Sequence, residues 1–215
     1  MPRLAARLDG AWEVAFEAER GAPKAASLPA LAPLNEQVDP GIRYFSGIAT
    51  YGKTFAASAG YKPGAPLLLD LAQVGDLAEV RVNGRLIGTL WHSPYRVDIG
   101  TVVRRGANRL EVRVANLWVN RLIGDAQPGV TKIASTVMPT YRVDAGLRPA
   151  GLIGPARTRP TRRGARRSAP RPGPTIRNRR SGTASRHLEA ACGRDHLLCA
   201  RNAATLPARL QCCPG

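Results

Sequence analysis

Four side chains that could together bind a sugar occur within eight residues: Trp118, Asn120, Arg121 and Asp125. An indole ring can stack on the apolar face of a pyranose, whereas planar amide, guanidinium and carboxylate groups hydrogen-bond hydroxyl groups. Trp91 adds a second indole ring in another part of the chain. These residue types predict a saccharide contact made by the five residues.

The same five residues also have structural interpretations, which the sequence leaves open. Trp91 and Trp118 could be core residues, because large aromatic side chains dominate protein cores. Asn120 could satisfy backbone groups of a loop, and Arg121 could form an ion pair with Asp125. A third possibility is that this segment packs against another domain.

No pair of acidic residues is marked out for hydrolysis. Glycoside hydrolysis usually requires two carboxyl groups across the scissile bond, and residues 1–154 contain 13 Asp and Glu. Glu79 and Glu111 alternate with arginines, as on a solvated strand face. Asp9 and Asp98 precede turns, where carboxylates often bond to backbone N–H groups. The sequence therefore indicates no catalytic residue.

The elements that must position these residues are strands. Apolar and charged residues alternate over 77–82 and 109–114, which predicts strands with one buried and one solvated face. Asn83-Gly84 between two such runs predicts a type I′ turn and a β-hairpin. Shorter runs predict further strands at 12–16, 44–55, 67–71 and 95–99. Helical signals are weak, so an antiparallel sandwich or barrel is expected.

Two segments do not fit this pattern. Residues 21–40 contain four prolines and few strand formers, which predicts a loop packed over the sandwich. Residues 127–138 are irregular, and a last strand is expected after them at 151–154.

Several longer strings of sequence resemble one known group of domains. The longest reads Val-Ala-Asn-Leu-Trp-Val-Asn-Arg-Leu-Ile-Gly-Asp at 114–125, and the others lie, in order, at 40–47, 69–71, 76–84, 86–91 and 94–99. Together they resemble the jelly-roll sandwich domain of large glycoside hydrolases. The family 2 sugar-binding domain is the general relative, and the C-terminal sandwich of bacterial family 106 α-L-rhamnosidases is the nearer one. The resemblance covers roughly residues 9–154.

This resemblance implies an antiparallel jelly-roll β-sandwich of the galactose-binding-domain-like type. It also implies that the catalytic acids belong to a separate barrel domain, which has no counterpart in this chain. The expected partners are therefore a carbohydrate or that missing catalytic domain. Two departures stand out: residues 133–141 lack the group's aromatic, Thr-rich stretch, and the resemblance ends after Pro155.

The charge of the chain is concentrated at its C-terminal end. The formal net charge is +17, of which +5 falls in residues 1–154 and +12 in residues 155–215. The second part holds 14 arginines, no lysine and no aromatic residue. Such a composition buries little apolar surface, so residues 155–215 are expected to be a mostly disordered tail. A frameshifted reading of GC-rich DNA is the favoured explanation of the tail.

The alternative function depends on this tail, which could bind nucleic acid through phosphate contacts. Against it, no aromatic side chain is interleaved for base stacking. No metal or cofactor is expected, because the spacing of the cysteines is unlike the C-x₂₋₄-C pairs of zinc sites; they are Cys192, Cys199, Cys212 and Cys213.

No apolar run approaches the roughly 20 residues of a membrane-spanning helix, so no membrane partner is expected. The N-terminus shows no apolar signal-peptide core, although the resembling enzymes are often exported, so the compartment stays open. The function expected from the whole sequence is a non-catalytic carbohydrate-binding or structural sandwich domain of a glycoside hydrolase, in a truncated product.

Overall fold

The computed structural model describes residues 6–57, 60–138 and 141–161, which form two antiparallel β-sheets and short connecting helices. The helices are α1 (Pro40–Arg43) and α2 (Val119–Asp125), and Leu34–Glu36 forms a 3₁₀ turn. The strands are β1 (Ala6–Arg7), β2 (Trp12–Phe16), β3 (Ala25–Leu28), β4 (Gly47–Ala56), β5 (Leu67–Asp70), β6 (Leu77–Val82), β7 (Arg85–Leu90), β8 (Arg96–Asp98), β9 (Ala107–Asn116) and β10 (Arg157–Pro160).

The larger sheet has six strands in the order β3-β2-β4-β9-β6-β7, and the smaller has four in the order β1-β10-β5-β8. At the centre of the larger sheet, β4 and β9 pair over ten residues each, from Gly47 opposite Asn116 to Ala56 opposite Ala107. All strand pairs are antiparallel. This architecture confirms the predicted all-β sandwich.

The core forms because alternate residues of each strand point inward. In β9, every second residue from Asn108 to Asn116 is buried. The smaller sheet contributes Leu67 and Leu69, and β2 contributes Trp12, all with almost no exposed surface. The period-two pattern of the sequence therefore sets which face of each strand meets the other sheet.

The β6–β7 hairpin has the predicted turn. Asn83 and Gly84 both have positive φ angles, 52° and 79°, as a type I′ turn requires. Asn83 also ties the hairpin to its neighbours: its Nδ2 donates to Asn108 Oδ1 at 2.9 Å, and its Oδ1 accepts from the backbone N–H of Arg109 at 3.0 Å.

Two predictions about local structure are wrong. The segment 21–40, predicted as a loop, contains β3, which pairs with β2 from Trp12 opposite Leu28 to Ala15 opposite Ala25. The expected strand at 151–154 is reduced to an isolated bridge between Leu152 and Val74. Helix α2 was not predicted, because seven residues give too short a window for a helical period.

The smaller sheet extends further along the chain than expected. Disorder from residue 155 onward is wrong for Arg157–Pro160, which form β10 between β1 and β5. Ala156 and Thr158 are buried, whereas Arg157 and Arg159 are exposed. The arginines face solvent on a strand whose other face is buried, so their charge does not prevent pairing. The predicted tail from residue 162 onward, with all four cysteines, lies outside the described residues.

None of the helices within the described ranges has the length and apolar character that a bilayer crossing requires.

Candidate functional site

Arg121 and Asp125 form an ion pair inside the fold, one turn apart on α2. Arg121 Nη2 lies 3.0 Å from Asp125 Oδ1, and the two side chains are only 7% and 5% exposed. Asp125 Oδ2 accepts hydrogen bonds from the backbone N–H groups of Ile133 at 3.2 Å and Ala134 at 2.7 Å. The carboxylate therefore attaches the 133–134 segment to the helix, and a sugar contact by these two residues stays a prediction.

Asn120 is also engaged within the fold. Its Nδ2 donates to the backbone carbonyl of Arg148 at 2.8 Å, and its Oδ1 accepts from the backbone N–H of the same residue at 2.8 Å. The amide thus makes a two-point contact that fixes Arg148 against the start of α2. Because Asn120 is buried, its main effect on any ligand would be to position Arg148.

Trp118, in contrast, is 43% exposed. The guanidinium of Arg20 lies over its ring, 4.9 Å from the centroid, and Arg20 Nη2 donates to Glu17 Oε1 at 3.2 Å. The hydrogen bond from the Ile48 N–H to Glu17 lowers the pKa of that carboxyl. One face of the indole is therefore occupied by a cation that is itself held in place.

Trp91 is the more accessible of the two rings, with 72% of its surface exposed. It follows the last residue of β7 directly. The imidazole of His92 meets the ring edge-on, with centroids 4.7 Å apart. Most of the surface of Trp91 is therefore open to solvent.

The two tryptophans lie at the same end of the six-stranded sheet. Leu90 pairs with Ala78, and Ala78 pairs with Val114, so the end of β7, the start of β6 and the end of β9 are side by side. The exposed apolar side chains at these strand ends form what we call the apolar end: Leu77, Trp91, Leu117 and Trp118.

A pocket of about 280 Å³ opens beside the apolar end. Three segments line it: 73–76 between β5 and β6, 117–120 at the start of α2, and 148–153. Its polar side chains are Gln73, Asp76, Asn120 and Arg148. Of these, the sequence predicted only Asn120. Gln73 and Asp76 are close together in the sequence but far from Arg148, so no sequence signal marks the three as one site.

Two of the described carboxylates, those of Glu79 and Glu111, share one arginine. On the outer face of the six-stranded sheet, Arg81 Nε lies 2.9 Å from Glu79 Oε1 and 4.0 Å from Glu111 Oε1. The hydrogen bond from Arg81 lowers the pKa of Glu79. A general acid for glycoside cleavage needs a raised pKa, so the lowered pKa of Glu79 does not suit that role.

The lowered pKa of Glu79 predicts a pH-dependent contribution to stability. In the unfolded chain, Glu79 becomes protonated near its ordinary pKa of 4.5. In the folded chain, it becomes protonated only at a lower pH. The stabilisation is therefore complete above about pH 4.5 and is lost as the pH falls through the folded-state pKa. We expect Glu79→Gln to reduce the unfolding free energy at pH 7, with a deficit relative to wild type that shrinks toward pH 3.

Urea unfolding of wild type and Glu79→Gln between pH 7 and about pH 3 measures this effect. Glu36→Gln is the matched control, because Glu36 is exposed and makes no ion pair with a described residue. A deficit for Glu79→Gln that stays constant across this pH range would contradict the prediction.

Comparison with known proteins identifies the type of domain. Residues 42–143 match the family model described as "Glycosyl hydrolase 2 galactose-binding domain-like". This range therefore forms a galactose-binding-like domain related to those of glycoside hydrolases. The predicted resemblance to the sandwich domains of glycoside hydrolases is thereby confirmed, and the matched range contains all five predicted site residues.

Solved structures extend the similarity beyond residues 42–143. A rhamnosidase from Novosphingobium sp. PP1Y is 60% identical, with a TM-score of 0.70, over 74% of this chain and 15% of that chain. A β-glucuronidase from an uncultured Clostridium sp. is 20% identical with a TM-score of 0.56, over 75% of this chain and 30% of that one, which supports the fold alone.

A Formosa agariphila protein that bears the name of a β-glucuronidase is 44% identical over 119 residues, which are 55% of this chain. The chain spans about 10% of that protein. The galactose-binding-like domain is thus shared with much longer proteins, and the activity of those whole proteins is not a property shown for this chain.

Proposed function

We propose that this chain is a non-catalytic, carbohydrate-contacting domain of a larger glycoside hydrolase. The observation that carries the proposal is the apolar end, where the exposed ring of Trp91 lies on the same side of the sandwich as a polar pocket. Saccharide sites combine apolar surface for the ring with a few fixed polar groups for the hydroxyls. The similarity to a rhamnosidase at 60% identity supports a carbohydrate as the ligand.

The non-catalytic part of the proposal concerns the carboxylates and the groups that they contact. Those on the strand faces contact arginines, as Asp70 contacts Arg96 at 2.8 Å. Asp98 accepts backbone hydrogen bonds from Leu67 and Gly100 at 3.0 and 2.8 Å. These described carboxylates are held by contacts within the fold, which supports a non-catalytic role.

A structural role is the second candidate, and the same apolar end favours it. Leu117 is 54% exposed beside Trp118, and exposed apolar side chains that cluster often mark contacts with another domain. The domain would then brace the catalytic part of the larger protein. Nucleic-acid binding by the basic tail has no support from the comparisons, and most of the tail lies outside the described residues.

The first test is a pair of measurements on the purified full chain. We expect no turnover of aryl glycosides, and a rise in melting temperature on addition of neutral monosaccharides. A ligand at 100 times its Kd adds about 2.7 kcal/mol of stability, which is roughly 5–10 °C for a domain of this size. Turnover by the purified chain would overturn the proposal, and the absence of any stabilisation would favour the bracing role.

Trp91→Ala tests the aromatic contact. Because Trp91 is largely exposed, the variant should change the unfolding free energy by less than about 0.5 kcal/mol, while the saccharide-dependent rise in melting temperature decreases. Leu86→Ala is the matched control, since Leu86 is an exposed apolar residue at the other end of β7, 55% accessible. Equal saccharide responses of the two variants would remove Trp91 from the contact.

A further inference from the structure

The pocket beside the apolar end is held open by hydrogen bonds between its three wall segments. The backbone N–H of Gly75 donates to Gly151 O at 2.9 Å, and the N–H of Ile153 donates to Gln73 O at 3.1 Å. A Cβ added at Gly75 would lie 3.0 Å from the Ala150 Cα and from the Gly151 N. The 73–76 and 148–153 segments are therefore packed backbone to backbone.

The third wall is attached to both of the others. Asp76 Oδ2 accepts the backbone N–H of Leu117 at 3.3 Å, which joins the 73–76 segment to the end of β9. Asn120 joins the start of α2 to Arg148 through both of its amide groups, each at 2.8 Å. The walls are thus fixed before a ligand arrives, and little ordering entropy opposes binding.

Three polar groups of the pocket are not used by these bonds. Within the described part of the chain, the Arg148 guanidinium, the Gln73 amide and Asp76 Oδ1 make no hydrogen bond or ion pair. Asp76 and Arg148 line the same pocket without forming a salt bridge among the described contacts. A carboxylate oxygen that only accepts and a guanidinium that only donates are thereby presented to one ligand.

We infer that this pocket binds one neutral pyranose, with its hydroxyl groups shared between Asp76 and Arg148. This assignment rests on the proposed function and specifies its ligand and its site. A hydroxyl group both donates and accepts, so adjacent hydroxyls can donate to Asp76 and accept from Arg148. The apolar wall contacts the C–H face of the ring, and it consists of Val74, Leu117, Val119, Pro149 and Ile153.

The charge and the size of the pocket both favour a single neutral sugar ring as its ligand. One carboxylate and one guanidinium cancel, so the pocket has no excess positive charge to attract a phosphate or a uronate. Its volume of about 280 Å³ lies at the lower limit of the roughly 300–1,000 Å³ typical of small-molecule sites. That volume suits a single sugar ring rather than a longer glycan.

The test titrates the full chain with D-galactose, L-rhamnose, D-glucuronate and inorganic phosphate, using calorimetry. We expect at least one of the two neutral sugars to bind more tightly than either anion. Arg148→Met and Asp76→Asn should each raise its Kd at least about tenfold, with unchanged melting temperature in the absence of sugar. The matched control is Arg85→Met, an exposed arginine at the other end of β7, which should leave the Kd unchanged.

The outcomes separate this inference from the proposed function. Sugar binding that Trp91→Ala weakens and Arg148→Met leaves intact would overturn the pocket assignment while the proposed function stands. Binding of only the two anions, or of no probe, would also overturn the pocket assignment. Turnover of an aryl glycoside would overturn the proposed function whether or not the pocket binds sugar.

Discussion

Asp125→Ala is expected to lower the free energy of unfolding by about 3–5 kcal/mol, the usual cost of removing one partner from a buried ion pair. The substitution leaves the Arg121 guanidinium buried without a counter-charge. It also removes the acceptor for the N–H groups of Ile133 and Ala134, bound at 3.2 and 2.7 Å. Chemical denaturation of wild type and variant at pH 7 measures the difference.

The environment of Arg121 offers little compensation. Its Nε is buried and has no hydrogen-bond partner among the described residues. The 3.0 Å contact between its Nη2 and Asp125 Oδ1 is a charge contact rather than an aligned hydrogen bond. The ring of Tyr44 lies 5.9 Å from the guanidinium carbon, and a Cβ at Gly124 would lie 2.6 Å from Tyr44 atoms. Because this packing is tight, the arginine cannot easily turn toward solvent.

The matched control is Asp144→Ala. Asp144 pairs with Arg142 at 3.1 Å, but the two side chains are 64% and 85% exposed, so the loss should be within about 0.5 kcal/mol. Should Asp125→Ala abolish folding, Asp125→Asn keeps an acceptor for the two N–H groups and should cost less. The double variant with Arg121→Met should recover part of the loss. Equal effects of Asp125→Ala and Asp144→Ala would contradict the prediction.

Regular, one-sided burial is clearest in β6 and β9, the two strands that the sequence predicted from strict alternation. In β6, Ala78, Val80 and Val82 are buried, and the charged residues between them mark the outer face. In contrast, β3 consists of Ala-Ala-Ser-Leu and β10 of Arg-Thr-Arg-Pro. These strands form because β2 and β5 each have an edge with which they can pair. This is a tertiary effect, which the local strand propensity does not predict.

Helix α2 was not predicted, for a similar reason. Its seven residues include Gly124, and an isolated helix of that length is unstable in water. Contacts outside the helix hold it in place: the amide of Asn120 binds Arg148, and the carboxylate of Asp125 binds the 133–134 segment. The sequence identified these polar residues from their types, but their partners lie far along the chain.

The pocket shows the same limit more clearly. Asp76, Asn120 and Arg148 meet only because the β5–β6 connection, the end of β9 and the 148–153 segment converge at one end of the sandwich. Residues that are close in sequence suggested a site on α2, whereas the polar groups left free in the fold come from distant segments. Closeness along the sequence therefore does not predict which residues form a site built from loops.

Asn116→Ala is expected to lower the free energy of unfolding by about 2–4 kcal/mol and to weaken sugar binding in the pocket. Asn116 Oδ1 accepts the backbone N–H of Gly151 at 2.7 Å, and Nδ2 donates to Gly47 O at 3.1 Å and Val114 O at 3.2 Å. Removing the amide takes the acceptor from the Gly151 N–H and a donor from the Gly47 and Val114 carbonyls. A buried backbone group left unsatisfied costs roughly 1–3 kcal/mol.

The effect on the pocket follows from what Gly151 supports. Its carbonyl accepts the N–H of Gly75 at 2.9 Å, so Asn116 and Gly75 together hold one pocket wall through a single residue. Loosening that wall lets Arg148 move away from Asp76, and the Kd for the sugar should rise. Asn35→Ala is the matched control, because the buried Oδ1 of Asn35 has no hydrogen-bond partner in the described part of the chain. Its effects should be much smaller.

Asn116→Asp adds a test that does not depend on removing volume. The ionised carboxylate can still accept from Gly151, but it faces the carbonyls of Gly47 and Val114, to which it has no proton to donate. Protonation restores one donor, so its deficit in unfolding free energy relative to wild type should shrink as the pH is lowered. A deficit that is independent of pH, or a loss in Asn116→Ala no greater than in Asn35→Ala, would show that the amide does not support this wall.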